Sequence, residues 1–352
     1  MKAWAVVENG KPLQEIELPT PEPQGDEVLL EVTHAGVCHS DLHIWEGEYD
    51  LGARGKLRMA DRGLSLPLAM GHEIVGRVAK WGPGAEGRVK AGDVRLVFPW
   101  VGCGTCARCA AEEENMCAVR PRALGVYQHG GYATHVLATH WKHLVPIEGL
   151  DPALAATYAC SGVTVFSAIR KLMPLGAEEF VVVVGAGGLG LQAIAILRAL
   201  GHRAICAVDL DPAKLEAATA QGASATVQAG EDTAKRILAA CGGPVMAVMD
   251  LVNGSATAAA AFDALGKGGK LVQVGLFGGE MRVPLPLMPI KALTIQGSYV
   301  GSLPELRELV GLAQQGQVPP IPVSQEPFEK ADWALNRLRE GKVTGRIILT
   351  AG

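Results

Sequence analysis

FVVVVGAGGLG, residues 180–190, is the stretch on which the fold turns. Residues 180–184 form an unbroken apolar, largely β-branched run, the pattern of a strand buried on both faces of a sheet. Gly185, Gly187 and Gly190 follow in G-x-G-x-x-G spacing, and residues 189–200 read as an apolar helix. Gly185 permits a tight turn, Gly187 lets the backbone approach a pyrophosphate, and Gly190 allows close packing of the helix. The free N–H groups and dipole at the helix N-terminus suit phosphate. The bland alternative is a glycine turn that binds nothing. The strand before the loop and the helix after it argue against that.

Downstream the alternation continues. A second strand is expected at 204–208 and a second helix at 212–221, with further strands at 225–227, 247–251, 271–274 and 293–297. Six strands alternating with helices predict a doubly wound parallel sheet. Asp209 closes the second strand at the distance where an acid accepts from both ribose hydroxyls and repels a 2′-phosphate, which favours NAD over NADP. Asp211, followed by Pro212, reads as a helix N-cap instead. Upstream, the first 150 or so residues are strand-rich, with runs at 27–32, 74–80 and 94–98, and a helix at 165–172 follows. The tail predicts helices at 303–315 and 329–340 and a strand at 346–349. Because six strands complete the nucleotide fold, the tail is expected to return to the first domain.

The chain has 352 residues, which suits two domains, and a formal net charge of −4 with both signs interspersed. No nucleic-acid or membrane partner is expected from that balance. No signal peptide is read at the N-terminus, and no apolar run is expected to reach membrane-spanning length uninterrupted, the longest starting near Phe180. Four of the eight cysteines lie bunched between 103 and 117, which suggests metal rather than disulfides and a cytoplasmic location.

Those four, Cys103, Cys106, Cys109 and Cys117, are spaced C-x2-C-x2-C-x7-C. Four thiolates in one short loop satisfy a tetrahedral zinc with no open position, so the role is structural. A second set must come from distant positions: Cys38 in G-V-C-H-S-D-L-H, His72 and Glu73 in G-H-E-I-V-G, and Cys160 in Y-A-C-S-G-V-T. One histidine and two cysteines leave a fourth position open, as a catalytic zinc requires. Each is weak alone, and spacing does not join Cys160 to the others.

With these motifs in place, the chain resembles the zinc-containing medium-chain alcohol dehydrogenases over nearly its whole length. The resemblance implies an α/β protein: a GroES-like β-rich catalytic domain at 1–161 and 297–352, carrying both zinc sites, around a Rossmann doubly wound parallel sheet at 162–296. It implies that Cys38, His72 and Cys160 hold catalytic zinc, that Glu73 stands behind the metal, and that Asp41 orients the zinc-bound histidine. Ser40 and His43 match a proton relay running through a ribose hydroxyl. Thr164 matches a residue near the nicotinamide, His39 and Arg346 cations facing the pyrophosphate, and Lys214 a lysine near the adenosine ribose. Gly185, Gly187, Gly188, Leu189, Gly190, Asp209 and Val274 complete the expected cofactor contacts.

The implied activity is interconversion of alcohols with aldehydes or ketones by hydride transfer to NAD, with two zinc ions per chain. The implied assembly is a homo-oligomer, a tetramer ahead of a dimer. A polyol or amino-alcohol dehydrogenase is the alternative, although those relatives usually place a carboxylate where Cys160 stands. A non-catalytic NAD-binding protein is opposed by the intact ligand set. Trp45 and Trp100 are candidates for the substrate pocket or for the core, and Cys206 and Cys241 for inert packing.

One departure stands out: loop 50–67 is longer than in the compact yeast-like members. Its Leu51, Leu57, Met59, Leu64 and Leu66 are candidates to face an apolar substrate, and its Arg54, Lys56, Arg58 and Arg62 to face solvent. A surface insertion or an oligomer contact is the competing expectation.

Overall fold

The computed structural model describes residues 1–351. Strand Val181–Val184 is fully buried and feeds helix Gly188–Ala199 through a turn in which Gly185 has φ +96°, a conformation that side chains rarely adopt. Strands Ile205–Asp209, Ala225–Gln228, Val245–Asp250, Leu265–Gln273 and Thr294–Gly297 follow, separated by helices. In space the order runs 225–228, 205–209, 181–184, 245–250, 265–273, 294–297, all parallel. The chain therefore starts centrally, winds to one edge and returns, leaving a switch point beside strand Val181–Val184 where ligands bind in such sheets. The fifth strand begins earlier than its apolar run suggested. Residues 266–269 contribute little side-chain bulk, and its register against strand Val245–Asp250 shifts.

The remaining strands build a β-rich body. Strand Val28–Gly36 pairs with Glu73–Trp81, with His135–Ala138 and with the last strand, Arg346–Thr350. The register sets Gly36 opposite both Glu73 and Ile348, so the chain segments after 36, before 73 and before 348 converge at one corner. Strands Val323–Pro327 and Arg346–Thr350 of the tail join this sheet, but the tail's helix Leu303–Gln314 does not pack on it. It packs against helix Val163–Leu172, with which it shares a core, and Arg170 pairs with Glu308.

Residues Pro152–Leu172 form one helical stretch long and apolar enough by composition to cross a bilayer, but Gly162 interrupts the run and the stretch is mostly buried inside the fold. Residues 158–162 within it form a π-helical turn, a feature frequent at functional sites. Gly162 is needed there: a Cβ would come within 2.9 Å of Leu309 and Tyr158, so helix Leu303–Gln314 approaches closely.

Loop 50–67 is only partly a loop. Strands Glu48–Asp50 and Lys56–Arg58 pair as a hairpin, and the turn Ala60–Arg62 follows. Met59 and Leu64 are buried in the core of the β-rich body, and Leu66 packs against it. Those three do not face a substrate. The loop is tied down because burying Met59 and Leu64 removes their apolar surface from water.

Candidate active site and metal centres

The cysteine lobe is the local site. Cys103, Cys106, Cys109 and Cys117 bring their sulfurs within 4.8 Å of one another. Neighbouring sulfurs lie 3.5–3.9 Å apart, close to the edge of about 3.8 Å that four ~2.3 Å zinc–sulfur bonds give. All four are free thiols. Gly102 has no room for a side chain, since a Cβ would meet Cys109 Sγ at 2.5 Å. Glu114, which the sequence reading did not single out, pins the lobe. Its Oε2 accepts from Gly102 N–H at 3.1 Å, and its Oε1 meets Lys142 Nζ at 2.6 Å and His143 Nε2 at 3.2 Å. Burial works to raise this carboxyl, but hydrogen bonds from His143 and Lys142 win and hold it down at about 2.

The second set forms at the corner described above. Cys38 is the N-cap of helix His39–Glu46, His72 directly precedes strand Glu73–Trp81, and Cys160 sits in the π-helical turn. Cys38 Sγ and Cys160 Sγ are 3.8 Å apart, His72 joins them within 4.8 Å, and all three are buried. Asp41 explains the imidazole's orientation. It lies 3.2 Å from His72 Nδ1 through Oδ1, and its Oδ2 accepts from Cys38 N–H at 2.9 Å and from Tyr132 OH at 3.0 Å. Both His72 ring nitrogens are buried without an aligned hydrogen-bond partner among the described residues, and the Asp41 carboxylate beside Nδ1 leaves the other nitrogen free to ligate a metal. The hydrogen bond with Cys160 holds Cys38 well below its ordinary thiol value against the effect of burial, and Arg346 and His72 assist. Both donor sets therefore fit zinc.

Glu73 lies behind the set. Its Oε1 meets Arg346 Nη2 at 2.8 Å and accepts from Ser161 N–H at 3.2 Å. Burial pushes this carboxyl up to about 7, against the pull of Arg346. Ser40 and His43 share a face of their helix, one turn apart, and the His43 ring sits 5.0 Å from Tyr49.

The glycine loop shows what each glycine does. Space beyond Gly187 is open. A Cβ on Gly190 would strike Gly185 O at 2.0 Å, and one on Gly188 would meet Arg346 Cδ at 3.0 Å. Arg346 therefore spans the gap between Glu73 and the helix N-terminus, and its Nε has no partner among the described residues. Desolvation holds His39 below its ordinary value; Cys38 opposes this, and Arg346, His43 and Lys214 act in the same direction as burial. Asp209 is already engaged: Oδ2 accepts from Ala186 N–H at 2.8 Å and Oδ1 from Asp211 N–H at 3.0 Å. Asp211 caps its helix through Ala213 N–H at 2.9 Å, as expected. Thr164 is buried with its hydroxyl unpartnered among the described residues. Leu189 opens the helix, and Val274 follows strand Leu265–Gln273, both half-buried.

A cavity of about 470 Å³ lies between the two bodies, within the ~300–1,000 Å³ usual for ligand pockets. It is lined from one side by Tyr49, Leu51, Leu57 and Arg62, and from the other by residues 253–255, 275–276 and 278–281. The latter follow strands Val245–Asp250 and Leu265–Gln273, on the opposite side of the switch point from Asp209. Tyr299 also lines the cavity. It lies 6.0 Å from Trp100, whose ring is 5.2 Å from His72.

Residues 24–149 match the alcohol dehydrogenase GroES-like domain family, and residues 188–315 the zinc-binding dehydrogenase family. The NAD-dependent alcohol dehydrogenases of Sulfurisphaera tokodaii and Saccharolobus solfataricus are 38% and 36% identical to this chain, with 99% of each chain covered. The chain belongs to the zinc-containing medium-chain alcohol dehydrogenase family. The solved alcohol dehydrogenase of Aeropyrum pernix superposes with a TM-score of 0.90 at 31% identity, covering 99% of this chain and all of its own.

In this alcohol dehydrogenase fold, the structure divides the residues that the sequence reading left open. Trp100 borders the ligand set and donates to Ala159 O at 2.9 Å. Trp45 is a core residue whose Nε1 donates to Lys11 O at 2.6 Å, and it does not line the cavity. Cys206 is buried in the nucleotide-binding core, and Cys241 packs against it. Tyr49, Tyr132, Glu114 and Tyr299 were missed, since none has a motif spacing to betray it, whereas Arg62 is exposed as expected but also lines the cavity.

Proposed function

We propose that this protein interconverts primary or secondary alcohols with aldehydes or ketones, using NAD and a zinc ion held by Cys38, His72 and Cys160. The observation that carries this reading is the buried Cys38–His72–Cys160 set, joined through Trp100 and Tyr299 to a cavity that loops following the nucleotide-binding strands also line. When bound there, zinc polarises the alcohol oxygen and NAD accepts the hydride. The chain does the rest. Asp41, steadied by Tyr132 and the Cys38 N–H, holds the His72 ring in the ligating tautomer. Ser40 Oγ receives the alcohol proton, and the half-buried His43 ring, kept neutral by desolvation, passes it outward. Arg346 neutralises Glu73 and turns its free Nε toward the phosphates, with His39 and Lys214 adding positive charge. Asp209 shapes the loop and keeps lone pairs for the adenosine ribose. Glycines 185, 187, 188 and 190 and Leu189 cradle the pyrophosphate, with Thr164 and Val274 on the nicotinamide side.

We assign the catalytic body to 1–161 and 297–352 and the nucleotide body to 162–296, with the packing of helix Leu303–Gln314 on helix Val163–Leu172 forming a shared layer. Metal-spaced free thiols suit a reducing compartment such as the cytoplasm. A homo-oligomer, a tetramer ahead of a dimer, fits the exposed Leu285 and Ile290 close in sequence to edge strand Thr294–Gly297. Zinc content together with NAD-linked oxidation of simple alcohols tests the reading. Two zincs per chain and turnover are expected. Structural zinc alone without turnover overturns it. Light scattering reads the assembly.

A further inference from the structure

Arg62 ends the turn Ala60–Arg62 and lines the 470 Å³ cavity. It is the one cation among the lining residues, and its side chain makes no hydrogen bond or ion pair among the described residues. The anions of the same lining, Asp50 and Glu280, lie on its other parts. Asp50 accepts from Gly52 N–H at 2.9 Å, and Glu280 sits beside Gly52. Neither pairs with Arg62. The backbone beneath Arg62 is fixed: Met59 before it and Leu64 after it are buried, Met59 N–H donates to Gly47 O at 2.8 Å, and Leu64 N–H to Met59 O at 3.2 Å. The Arg62 side chain is itself exposed, so the fold fixes the main chain from which the guanidinium reaches the mouth of the cleft. Its charge acts on both Tyr49 and Tyr299, the two tyrosines that lead to His43 and, through Trp100, to His72.

We propose that Arg62 is a specificity-determining residue of this cleft, selecting alcohols and carbonyl compounds that carry an anionic group, in the simplest case a carboxylate, at the end away from the reacting carbon. The inference rests on the alcohol dehydrogenase reading above and adds the substrate class. A guanidinium offers parallel N–H donors that match a carboxylate two at a time, which an ammonium does not. The remaining walls, Leu51, Leu57, Leu276 and Met281, suit a short methylene chain between the two ends. Because the cleft is open to solvent, the attraction weakens as salt is added. It is formed equally in the ground and transition states, so it is read in KM rather than kcat.

The test compares 1-butanol, 1-pentanol and 1-hexanol with the ω-hydroxy carboxylates of the same chain lengths, in the zinc-loaded enzyme with NAD. Variants are Arg62→Met and Arg62→Glu, with zinc content and thermal unfolding checked for each. For at least one chain length, the carboxylate-to-neutral ratio of kcat/KM is expected to fall tenfold or more in Arg62→Met, through KM, and further in Arg62→Glu. The wild-type ratio is expected to fall as salt rises. A ratio that holds at every length in both variants overturns the proposal while leaving the alcohol dehydrogenase reading intact. A constant ratio with weakened NAD binding overturns it too, by placing Arg62 on the cofactor. Absence of NAD-linked turnover with every alcohol in the wild type overturns the underlying activity instead.

Discussion

His43 follows Ser40 by one helical turn, and desolvation keeps its imidazole below the ordinary value of 6.5. A ring with a lowered pKa stays neutral, and so able to accept a proton, through neutral pH and somewhat below. His43→Ala should cut alcohol oxidation by up to roughly 10²-fold where bulk base is scarce, with the gap narrowing as pH rises. A pH profile of kcat/KM that is unchanged in the variant removes His43 from the proton path. Asp209 raises a different question, because its oxygens are tied to the Ala186 and Asp211 N–H groups. Asp209→Ala therefore loosens the glycine loop as well as deleting a ribose acceptor. Losing such hydrogen bonds costs about 1–3 kcal/mol, so NAD affinity should fall roughly 5- to 150-fold, with NADP gaining relative to NAD. An unchanged NAD-to-NADP ratio would show that Asp209 shapes the loop without reading the ribose.

The cysteine lobe shows what one element needs beyond its metal ligands. Glu114 joins Gly102, Lys142 and His143, tying the lobe to the β-rich body. Its folded pKa of about 2 lies below the ordinary 4.5. Its stabilising contribution is therefore complete above pH 4.5 and is lost progressively as pH falls toward 2. Glu114→Gln should lower stability at neutral pH by about 1–3 kcal/mol. It should also flatten the acid side of the stability profile in that window. Equal acid sensitivity of variant and wild type, measured by denaturant unfolding across pH, would assign the anchor elsewhere. Hairpin Glu48–Asp50 with Lys56–Arg58 is the other element whose role composition did not reveal. Both leucines that were expected to face a substrate and do line the cleft, Leu51 and Leu57, belong to it, whereas Met59 and Leu64 are core.

At the scale of the whole molecule, that hairpin makes the cavity a property of both bodies. Gly279 N–H donates to Asp50 O at 3.3 Å, and a Cβ on Gly278 would meet Asp50 Cβ at 2.8 Å, so the hairpin rests on the nucleotide-binding loops. Replacing residues 51–57 with a tight turn, while keeping Met59 and Leu64, should change the kcat/KM ratio of bulky to small alcohols more than it changes NAD affinity. A constant ratio with an altered assembly state would make the hairpin a subunit contact. The parallel sheet and the four-cysteine lobe were legible because their determinants are local. A buried strand needs only consecutive β-branched residues, and a metal lobe only closely spaced thiols. That the six strands run parallel followed from alternation, since a parallel crossover needs a long connection, usually a helix, whereas their order in space came only from the structure. The second ligand set was not local. Cys38 and His72 meet because strand Val28–Gly36 pairs in register with strand Glu73–Trp81, and Cys160 reaches them from a buried helix far along the chain. Arg62, Tyr132 and Tyr299 belong with these. Their surroundings come from strand register and helix packing between distant segments, and such contacts leave no periodicity or spacing in the chain because they form only when the tertiary structure brings those segments together.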